Sequence, residues 1–404
     1  MGLRVVIMGL GYIGLPTAAL IASKGIKVHG VDINKKIVET INKGQVHIVE
    51  PDLEGLVNHV VKRGFLKADT KPESSNVFLI AVPTPFKDGY KPDLSYVKSA
   101  IKMIIPYLKE GNLVIIESTS SVGTTEKMYE FIIRERPELR DKFFMAYCPE
   151  RVLPGKILYE LEHNDRVIGG INSESTEKAK EFYALFVKGE LHETDARTAE
   201  MCKLVENAYR DVNIAFANEL SLICEKAGIN VWELIKLANK HPRVNILQPG
   251  VGVGGHCIAV DPWFLITQYL EESRLMKTAR EVNLYKTQWV INKIKEEAKE
   301  FGEVYGRKPK IACLGLTYKP DINDLRESPA LYIVRQLIKD RFDILPVEPN
   351  INGFEEFEIC NINQALEISD IVVLLVGHRK FRNLNLKKKI VLDFCGGIYL
   401  LNRI

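Results

Sequence analysis

The 404-residue chain is longer than one ordinary hydrophobic core supports, so its length predicts two or three domains. Its 55 Lys and Arg residues nearly cancel its 52 Asp and Glu residues, and the net charge of +3 lacks the basic surplus typical of nucleic-acid-binding proteins. The seven cysteines form no CxxC pair and lie mostly in apolar runs, which indicates reduced thiols in a cytoplasmic protein and no metal site.

The first half of the chain alternates short apolar runs with amphipathic stretches. The predicted strands are Arg4–Met8, Lys27–Asp32, Val77–Val82, Leu113–Ser118 and Phe143–Tyr147, and the predicted helices are Tyr12–Ser23, Asp93–Leu108 and Thr124–Glu135. Strands that alternate with helices predict a doubly wound parallel sheet. We expect this first domain to cover residues 1–187.

The uncharged stretch Val5–Ser23 is long enough to resemble a membrane span. It contains three glycines and a proline, and Lys24 and Gly25 end it. A strand, a turn and a helix explain this pattern better than a membrane span or a signal peptide does. The sequence therefore predicts no membrane association.

The middle of the chain is predicted to be helical. Residues Ala196–Lys226 contain neither Gly nor Pro and precede Gly228, so they predict one long helix. Its apolar positions lie nearly all round the helix, which indicates burial at an interface such as one between subunits. A loop with four glycines, Gln248–Cys257, and a second long helix, Glu272–Phe301, complete a central helical domain over residues 188–303.

Alternation of strands and helices resumes near residue 310, after a predicted connection at Gly306–Pro309. The predicted strands are Ile311–Leu316, Phe342–Val347, Ile371–Val376 and Ile390–Phe394. They predict a smaller C-terminal domain over residues 304–404. The predicted fold class is thus α/β, with an N-terminal Rossmann domain, a central helical domain and a C-terminal Rossmann-like domain.

A glycine-rich turn follows the first predicted strand and opens the first predicted helix. Its residues are Gly9, Leu10, Gly11, Tyr12, Ile13 and Gly14. Glycines suit this place because the chain turns tightly, a pyrophosphate approaches the backbone, and the N-terminus of the helix offers N–H groups to phosphates. Asp32 ends the next strand, where its carboxylate can bind a ribose and would repel a 2′-phosphate. The motif therefore predicts NAD, not NADP, as cofactor.

A second glycine-rich segment, Gly252–Gly255, lies just before Cys257. Backbone without side chains lets a ligand approach the sulfur, and its N–H groups could hold an oxyanion. The alternative is a glycine loop beside a buried cysteine, with Asp261 as the N-cap of a helix and Pro262 as its first residue. Spacing alone leaves a catalytic and a structural cysteine equally open, and it assigns no catalytic role to His256.

Lys203 and Asn207 are four residues apart on the predicted long helix and therefore share a face. The residues around them are largely apolar, and a lysine on a buried face needs an anionic partner or a shifted pKa. The alternative is a lysine that extends along the edge of the helix to solvent. The two residues by themselves favour this alternative.

Seven motifs, in this order, resemble those of the nucleotide-sugar 6-dehydrogenases, the superfamily of UDP-glucose and UDP-N-acetylmannosamine dehydrogenases. They are GLGYIGLP from residue 9, VPTP from 82, EST from 117, CPERVLPG from 148, AEMCKLVENAYR from 199, GVGGHCIAVDPW from 252 and GLTYKPDINDLRESPA from 315. The resemblance spans nearly the whole chain. It implies a three-domain enzyme that oxidises the C6 alcohol of a UDP-sugar to a carboxylate with two NAD⁺, in polysaccharide biosynthesis.

The resemblance also implies roles for individual residues. Cys257 would be a nucleophile that forms a thiohemiacetal and then a thioester, Lys203 and Asn207 would stabilise the oxyanion, and Asp261 would assist proton transfer or position water. Thr119 and Glu150 would belong to the water and proton network. Besides the glycine turn and Asp32, the implied NAD contacts are Thr84, Thr119 and Arg326. The implied UDP-sugar contacts are Glu150, Arg151, Val152, Leu153, Lys203, Asn207, Arg243, Gly254 and Lys319.

Arg243 matches an arginine that reaches into the site of a neighbouring subunit, which implies a homodimer or a larger homo-oligomer. Three other positions depart from the UDP-glucose branch: Pro154 replaces a glutamate, His256 a serine and Val260 a lysine. These departures resemble the branch that acts on UDP-N-acetylhexosamines. UDP-N-acetylmannosamine is therefore the expected substrate, and UDP-N-acetylglucosamine or UDP-glucose are the alternatives. The lost glutamate leaves open which group activates the hydrolytic water.

Two other classes of protein fit part of the pattern. A β-hydroxyacid dehydrogenase would use Lys203 as base for a single hydride transfer and would need neither Cys257 nor a C-terminal α/β domain. A non-catalytic NAD-binding module would need none of Lys203, Asn207, Cys257 and Asp261. The presence of all four residues favours the nucleotide-sugar dehydrogenase.

Overall fold

The structure is a computed structural model that describes residues 2–87, 90–351 and 353–397. The chain divides into two compact units, residues 1–206 and 207–404. Helices and strands are numbered below in chain order through both units.

The first unit alternates strands and helices throughout. Its elements are β1 (Arg4–Met8), α1 (Gly14–Ser23), β2 (Lys27–Val31), α2 (Lys35–Asn42), α3 (Leu53–Lys62), β3 (Leu66–Asp69), β4 (Val77–Ile80), β5 (Phe86–Lys87), β6 (Lys91–Pro92), α4 (Ser95–Ile104), β7 (Leu113–Ile116), α5 (Thr124–Glu135), β8 (Phe144–Tyr147), α6 (Ile157–His163), β9 (Arg166–Gly170), α7 (Ser173–Tyr183), β10 (Leu191–Asp195) and the first turns of α8 (Ala196–Ala227).

Eight of these strands form one sheet in the order β10-β9-β8-β7-β4-β1-β2-β3. The chain winds in opposite directions from β1, which lies between β2 and β4, and the carboxyl ends of the parallel strands meet at one edge. The five predicted strands are confirmed. The doubly wound parallel sheet predicted from them is confirmed, since these five strands pair parallel. The one antiparallel pair, β8 with β9, involves a strand that was not predicted.

Three strands of this sheet, β3, β9 and β10, were not predicted. Each offers a weak apolar signal: β3 has the sequence LKAD, β9 ends in two glycines, and β10 has the sequence LHETD and is only partly covered. β10 pairs with β9 and lies beyond residue 187, where the first domain was predicted to end.

The core of the first unit lies on both faces of the sheet. Ile7 and Leu79 pack into one apolar cluster, and Val6 and Phe78 pack into the other, all with no exposed surface. Burial on both faces explains why β1, β4 and β7 are continuous apolar runs, which is the signal that made them predictable.

The second unit holds the rest of α8 and a smaller sheet. Its further elements are α9 (Val231–Ala238), α10 (Asp261–Gln268), α11 (Arg274–Tyr305), β11 (Lys310–Leu314), α12 (Pro329–Lys339), β12 (Asp343–Val347), α13 (Ile362–Ile368), β13 (Ile371–Leu374) and β14 (Ile390–Asp393). The four strands are parallel, in the order β12-β11-β13-β14. Both long helices and all four predicted strands are confirmed, and Gly306 ends α11 at a φ of 66°.

The long helix α8 is not covered all round within one chain. Its large apolar side chains Val205, Tyr209, Phe216 and Ile223 are 38 to 71% exposed. They recur at intervals of four or seven residues, so they lie along one side of the helix. These four residues are called the α8 stripe below.

None of the helices in the described part of the chain combines the length and the apolar character that crossing a bilayer requires. The stretch Val5–Ser23 contains β1, the glycine turn and α1, as predicted.

Candidate active site

The glycine turn lies at the carboxyl end of β1. Gly9 has a φ of 93°, and a Cβ there would lie 2.6 Å from the carbonyl oxygen of Ala81. A Cβ on Gly14 would lie 1.8 Å from the carbonyl oxygen of Gly9, whereas a Cβ on Gly11 would meet no described atom within 4 Å. Gly9 and Gly14 are therefore required to build the turn, and Gly11 leaves the open backbone that a pyrophosphate needs.

Asp32 follows β2 and is half-buried beside this turn. Its Oδ2 accepts a hydrogen bond from the N–H of Leu10 at 3.1 Å, and its Oδ1 accepts one from the N–H of Asn34 at 2.9 Å. Tyr12 and Ile13 lead into α1, and Tyr12 is 41% exposed. The turn and the carboxylate together fit the ribose and pyrophosphate of NAD.

Three predicted residues follow other strands of the same sheet. Thr84 follows β4, Thr119 follows β7, and Glu150 follows β8; the two threonines are half-buried and Glu150 is buried. Ser118 Oγ donates to the carbonyl oxygen of Val82 at 2.8 Å and joins the first two loops. The sheet therefore brings these residues to the edge where ligands bind in doubly wound folds.

The loop Glu150–Leu153 contacts the first turns of α8. Lys203 Nζ donates to the carbonyl oxygen of Glu150 at 2.5 Å, and Arg151 Nη1 donates to Glu206 Oε1 at 2.7 Å. The Val152 N–H donates to Glu150 Oε2 at 2.7 Å, and the Leu153 side chain is half exposed. Lys203 therefore turns toward the loop and does not extend to solvent.

Two buried glutamates hold the loops that carry Thr119 and Glu150, and sequence reasoning missed both. Glu200, on α8, accepts two backbone N–H bonds at 2.6 and 2.8 Å at the start of α5. Glu50 accepts two, at 2.8 and 2.7 Å, at the start of α6. Burial raises the pKa of Glu200, and the donated bonds oppose that rise. Their partners are 75 to 107 residues away, so no local pattern could reveal them.

In the second unit, the glycine loop before Cys257 packs against the segment that follows β11. A Cβ on Gly254 would lie 2.5 Å from the carbonyl oxygen of Glu327, and one on Gly255 would lie 2.9 Å from the Tyr318 ring. Only glycine permits this approach, so these residues determine where the loop lies.

The segment that follows β11 also carries Lys319 and Arg326. Arg326 accepts the N–H of Gly255 on its carbonyl oxygen at 3.0 Å, and its guanidinium donates to both carboxylate oxygens of Asp324. Lys319 Nζ lies 5.8 Å from the centre of the Tyr318 ring. The fold thus brings the Cys257 loop together with Lys319 and Arg326.

Cys257 lies directly before α10. It is half-buried, and its carbonyl oxygen accepts the N–H groups of Val260 at 3.0 Å and Asp261 at 2.7 Å. Asp261 is buried, and its Oδ2 accepts a hydrogen bond from Asn207 Nδ2 at 2.6 Å. The structural alternative, with Asp261 as N-cap and Pro262 as first helical residue, differs from the structure by one position, because the helix begins at Asp261. The Asp261 carboxylate contacts Asn207 of α8.

The surroundings of the six other cysteines raise the pKa of their thiols. Burial is the cause, and it raises the pKa to about 12 for Cys148 and Cys313. The six are Cys148, Cys202, Cys224, Cys313, Cys360 and Cys395. All seven cysteines lie among the described residues, and none is in a disulfide. A thiolate is the reactive form, so the surroundings of these six disfavour reaction.

Arg243 is exposed in the turn after α9, and its N–H donates to His241 Nδ1 at 3.3 Å. His256 is exposed and Gly254 is half-buried.

The doubly wound sheet, the glycine turn and Asp32 define an NAD-binding oxidoreductase of the Rossmann class. Comparison with known families identifies its relatives. The UDP-glucose/GDP-mannose dehydrogenase family matches over its NAD binding domain at residues 3–187, its central domain at 197–285 and its UDP binding domain at 312–398. The chain belongs to this family, and it is an NAD-dependent UDP-sugar dehydrogenase.

Close relatives match over almost their whole length. A UDP-N-acetyl-D-mannosamine dehydrogenase of Campylobacter jejuni is 54% identical, over 97% of this chain and 99% of that protein. An NDP-N-acetyl-D-galactosaminuronic acid dehydrogenase of Ralstonia nicotianae is 53% identical, over 96% and 95%. The structure of a UDP-D-ManNAc dehydrogenase from Pyrococcus horikoshii has a TM-score of 0.89 at 39% identity, with coverage of 97% and 95%. The family and fold class predicted from the sequence are confirmed.

Proposed function

We propose that this enzyme oxidises the C6 alcohol of UDP-N-acetyl-D-mannosamine to the uronate and reduces two NAD⁺ per sugar. The observation that carries the proposal is the setting of Cys257, which follows the glycine loop and accepts on its carbonyl oxygen the N–H of Asp261, the partner of Asn207. The name of the Campylobacter jejuni relative and the residues Pro154, His256 and Val260 support the mannosamine substrate.

The turn Gly9–Gly14, Asp32, Thr84, Thr119 and Arg326 would hold NAD⁺, which supplies the hydride acceptor for both oxidations. Contacts to the UDP-sugar are proposed for Glu150, Arg151, Val152, Leu153, Lys203, Asn207, Arg243, Gly254 and Lys319. Basic and amide groups among them suit a nucleoside diphosphate, and the exposed backbone of the glycine loop suits close approach of the sugar.

Cys257 would act once the C6 alcohol has become an aldehyde. Its thiolate sulfur adds to the aldehyde carbon and gives a thiohemiacetal, and the second oxidation of that carbon gives a thioester. Water then adds to the thioester carbon, the C–S bond breaks, and the uronate and the thiolate are released. A covalent hold on the aldehyde keeps it in the site between the two oxidations.

Lys203 and Asn207 would stabilise the negative oxygen that forms on this carbon. They are one turn apart on α8, so an ammonium and an amide face the same direction. Asp261, bonded to Asn207, would assist proton transfer or position the water. Thr119 and Glu150 would belong to the same water and proton network.

We also propose a three-domain organisation, residues 1–187, 188–303 and 304–404, and a homodimer or larger homo-oligomer in the cytoplasm. Three successive family domains support the first proposal. The α8 stripe offers an apolar surface to a second copy, and Arg243 is exposed for a neighbouring site. Seven thiols without a disulfide fit a reducing compartment.

The test is to count NADH released per sugar across UDP-N-acetylmannosamine, UDP-N-acetylglucosamine, UDP-N-acetylgalactosamine and UDP-glucose. We expect two NADH and one uronate per sugar, with the mannosamine derivative preferred and UDP-glucose poor. One NADH per sugar would indicate a single-hydride dehydrogenase. Preferred turnover of the galactosamine derivative would favour the second candidate that the Ralstonia nicotianae relative suggests.

A further inference from the structure

A cluster of buried polar side chains lies behind Glu150 in the first unit. Glu117 follows β7, Cys148 follows β8, Arg166 begins β9, and Tyr183 ends α7. None of the four exceeds 4% exposure, and Glu150 itself is 7% exposed. Ionisable groups this deeply buried require partners that compensate their charge.

Arg166 is the charged centre of this cluster. Its Nη1 lies 3.9 Å from Glu150 Oε1, and its guanidinium lies 5.6 Å from the centre of the Tyr183 ring. Tyr183 donates its hydroxyl proton to Glu117 Oε1 at 2.6 Å. Glu117 Oε2 and Glu150 Oε1 are buried and have no hydrogen-bond partner among the described residues. Each carboxyl group therefore depends on the nearby guanidinium charge.

Among the cluster residues Glu117, Cys148, Arg166 and Tyr183, Glu117 is the one that exchanges its proton near neutral pH. Burial raises the pKa of Cys148 to about 12 and that of Tyr183 well above its ordinary value, so both stay neutral. Arg166 stays charged. Burial raises the pKa of Glu117 to about 7, the Arg166 charge opposes this rise, and the Glu150 charge adds to it.

Lys203 adds a second cation near Glu150, from α8. Its ammonium binds the backbone oxygen of Glu150 and not the carboxylate. Two ionised glutamates would repel each other in this buried place, since the Glu150 charge raises the pKa of Glu117. Loss of the second proton must therefore depend on the state of the first carboxyl group.

We propose that Arg166 and Glu117 are positioning residues for Glu150. Arg166 orients the Glu150 carboxylate, and ionisation of Glu117 brings a second negative charge to the same guanidinium. The consequence for turnover rests on the proposed function, in which Glu150 belongs to the proton network. The coupling of the two carboxyl groups does not rest on it.

The sign of the pH effect on stability follows from the raised pKa of Glu117. The folded state holds a proton that the unfolded chain has already released, so stability falls as pH rises toward about 7 and through it. Ionisation of Glu150 enlarges this effect because it adds a second negative charge. Removing either charge should therefore change the pH at which stability is lost.

The first experiment measures the unfolding midpoint from pH 5 to pH 9 in the wild type, Glu117→Gln and Glu150→Gln. The unfolding midpoint of the wild type should decrease as the pH rises to neutral values, and Glu117→Gln should remove this fall of the midpoint with pH. Glu150→Gln should move it to lower pH by about one unit, because Arg166 then serves Glu117 alone. Glu177→Gln, at an exposed position of α7, is the matched control and should leave the fall in place. A fall that stays at the same pH in Glu150→Gln overturns the proposal.

The second experiment measures kcat for uronate formation against pH. Arg166→Gln should move the acid limb up by about one to two pH units, whereas Arg166→Lys keeps the charge and should shift it by less than about half a unit. Arg166→Gln alone leaves buried carboxyl groups without their cation and can unfold the protein. The double variant Arg166→Gln/Glu117→Gln removes one positive and one negative charge and avoids this loss of folding. An equal loss of kcat at every pH overturns the positioning role. If Glu150→Gln shifts the pH dependence of the unfolding midpoint but the enzyme forms no NADH from any UDP-sugar, the coupling is supported and the proposed function is refuted.

Discussion

Asp32 serves the cofactor turn in two ways. It accepts the N–H of Leu10 within the glycine turn, and it presents its negative charge where a ribose would lie. Replacement by alanine would remove both contributions, and replacement by asparagine would remove only the charge.

Asp32→Ala should raise KM for NAD⁺ by about 10- to 100-fold and narrow the preference over NADP⁺, because a charged acceptor is lost and a 2′-phosphate is no longer repelled. Asp32→Asn is the matched control, since its amide oxygen can still accept the Leu10 N–H, and it should have the smaller effect on KM for NAD⁺. Steady-state kinetics with both cofactors measures this. Equal efficiency of the wild type with NAD⁺ and NADP⁺ would contradict the role of Asp32.

Cys257→Ser should lower steady-state turnover by at least about a thousandfold, because a hydroxyl is much harder to ionise than a thiol. NAD⁺ binding and the unfolding midpoint should stay unchanged. Iodoacetamide should modify Cys257 first, and UDP-sugar should protect it, because burial raises the pKa of the other six thiols. Mass spectrometry of the alkylated peptides measures the order. Two-step turnover by a folded Cys257→Ser enzyme would refute the covalent mechanism.

At the scale of elements, α8 and α5 are joined by the buried carboxylate of Glu200. The first N–H groups of a helix have no partner within the helix, and Glu200 supplies one from another element. Glu200 also lies one turn before Lys203 on α8, so the same contact relates Lys203 to the loop that carries Thr119.

Glu200→Ala should lower the free energy of unfolding by about 2 to 4 kcal/mol, because it leaves two buried N–H groups unsatisfied. Glu200→Gln should cost less, since its amide oxygen can still accept one of them. Glu219→Ala, at an exposed position of the same helix, is the control and should change stability by less than about 0.5 kcal/mol. Urea unfolding measures all three. Equal stability of Glu200→Ala and the control would show that the cap is unimportant.

The elements themselves were largely predictable from the sequence. Strands β1, β4 and β7 are buried on both faces and therefore stand out as apolar runs, and the absence of Gly and Pro reveals α8. The glycine turn and Asp32 were predictable because they belong to one sequence motif, the glycine-rich turn followed by an acidic residue at the end of the next strand. The hydrogen bond between Asn207 and Asp261 was not predictable from local sequence, because the two residues are 54 positions apart. Glu50, Glu117, Arg166 and Glu200 were missed because their contacts join distant parts of the sequence.

At the scale of the whole molecule, the two sheets begin with the same turn. Gly9 and Gly315 each have a φ of 93°. The N–H of each donates to the carbonyl oxygen of the last residue of a neighbouring strand at 2.8 Å, Val31 of β2 for Gly9 and Val347 of β12 for Gly315. Glu348 follows β12 as Asp32 follows β2, and it accepts the N–H of Leu316 at 2.8 Å. The buried His378 lies 3.1 Å from Glu348, so this acid is already partnered within the protein. The two sheets therefore share the turn but differ in the surroundings of the acid that follows it.

If Arg243 completes the site of a neighbouring subunit, two inactive variants should restore activity when mixed. Arg243→Ala and Cys257→Ser would each be defective, but a mixed dimer would contain one site with both native residues. Random exchange of subunits should then recover activity in about a quarter of the sites. Mixing after mild dissociation, followed by NADH assay, tests this. Additive residual activities would argue that each site is complete within one chain.

The caps that Glu50 and Glu200 provide also bear on how the enzyme acquires activity during refolding. Each carboxylate must find backbone N–H groups 75 to 107 residues away, so the loops it holds cannot be ordered by local contacts. Contacts of such sequence separation form slowly because a long chain segment must be closed first. After dilution from denaturant, helical circular dichroism should therefore return before the capacity to form NADH. Newly made chains would pass through a structured but inactive stage.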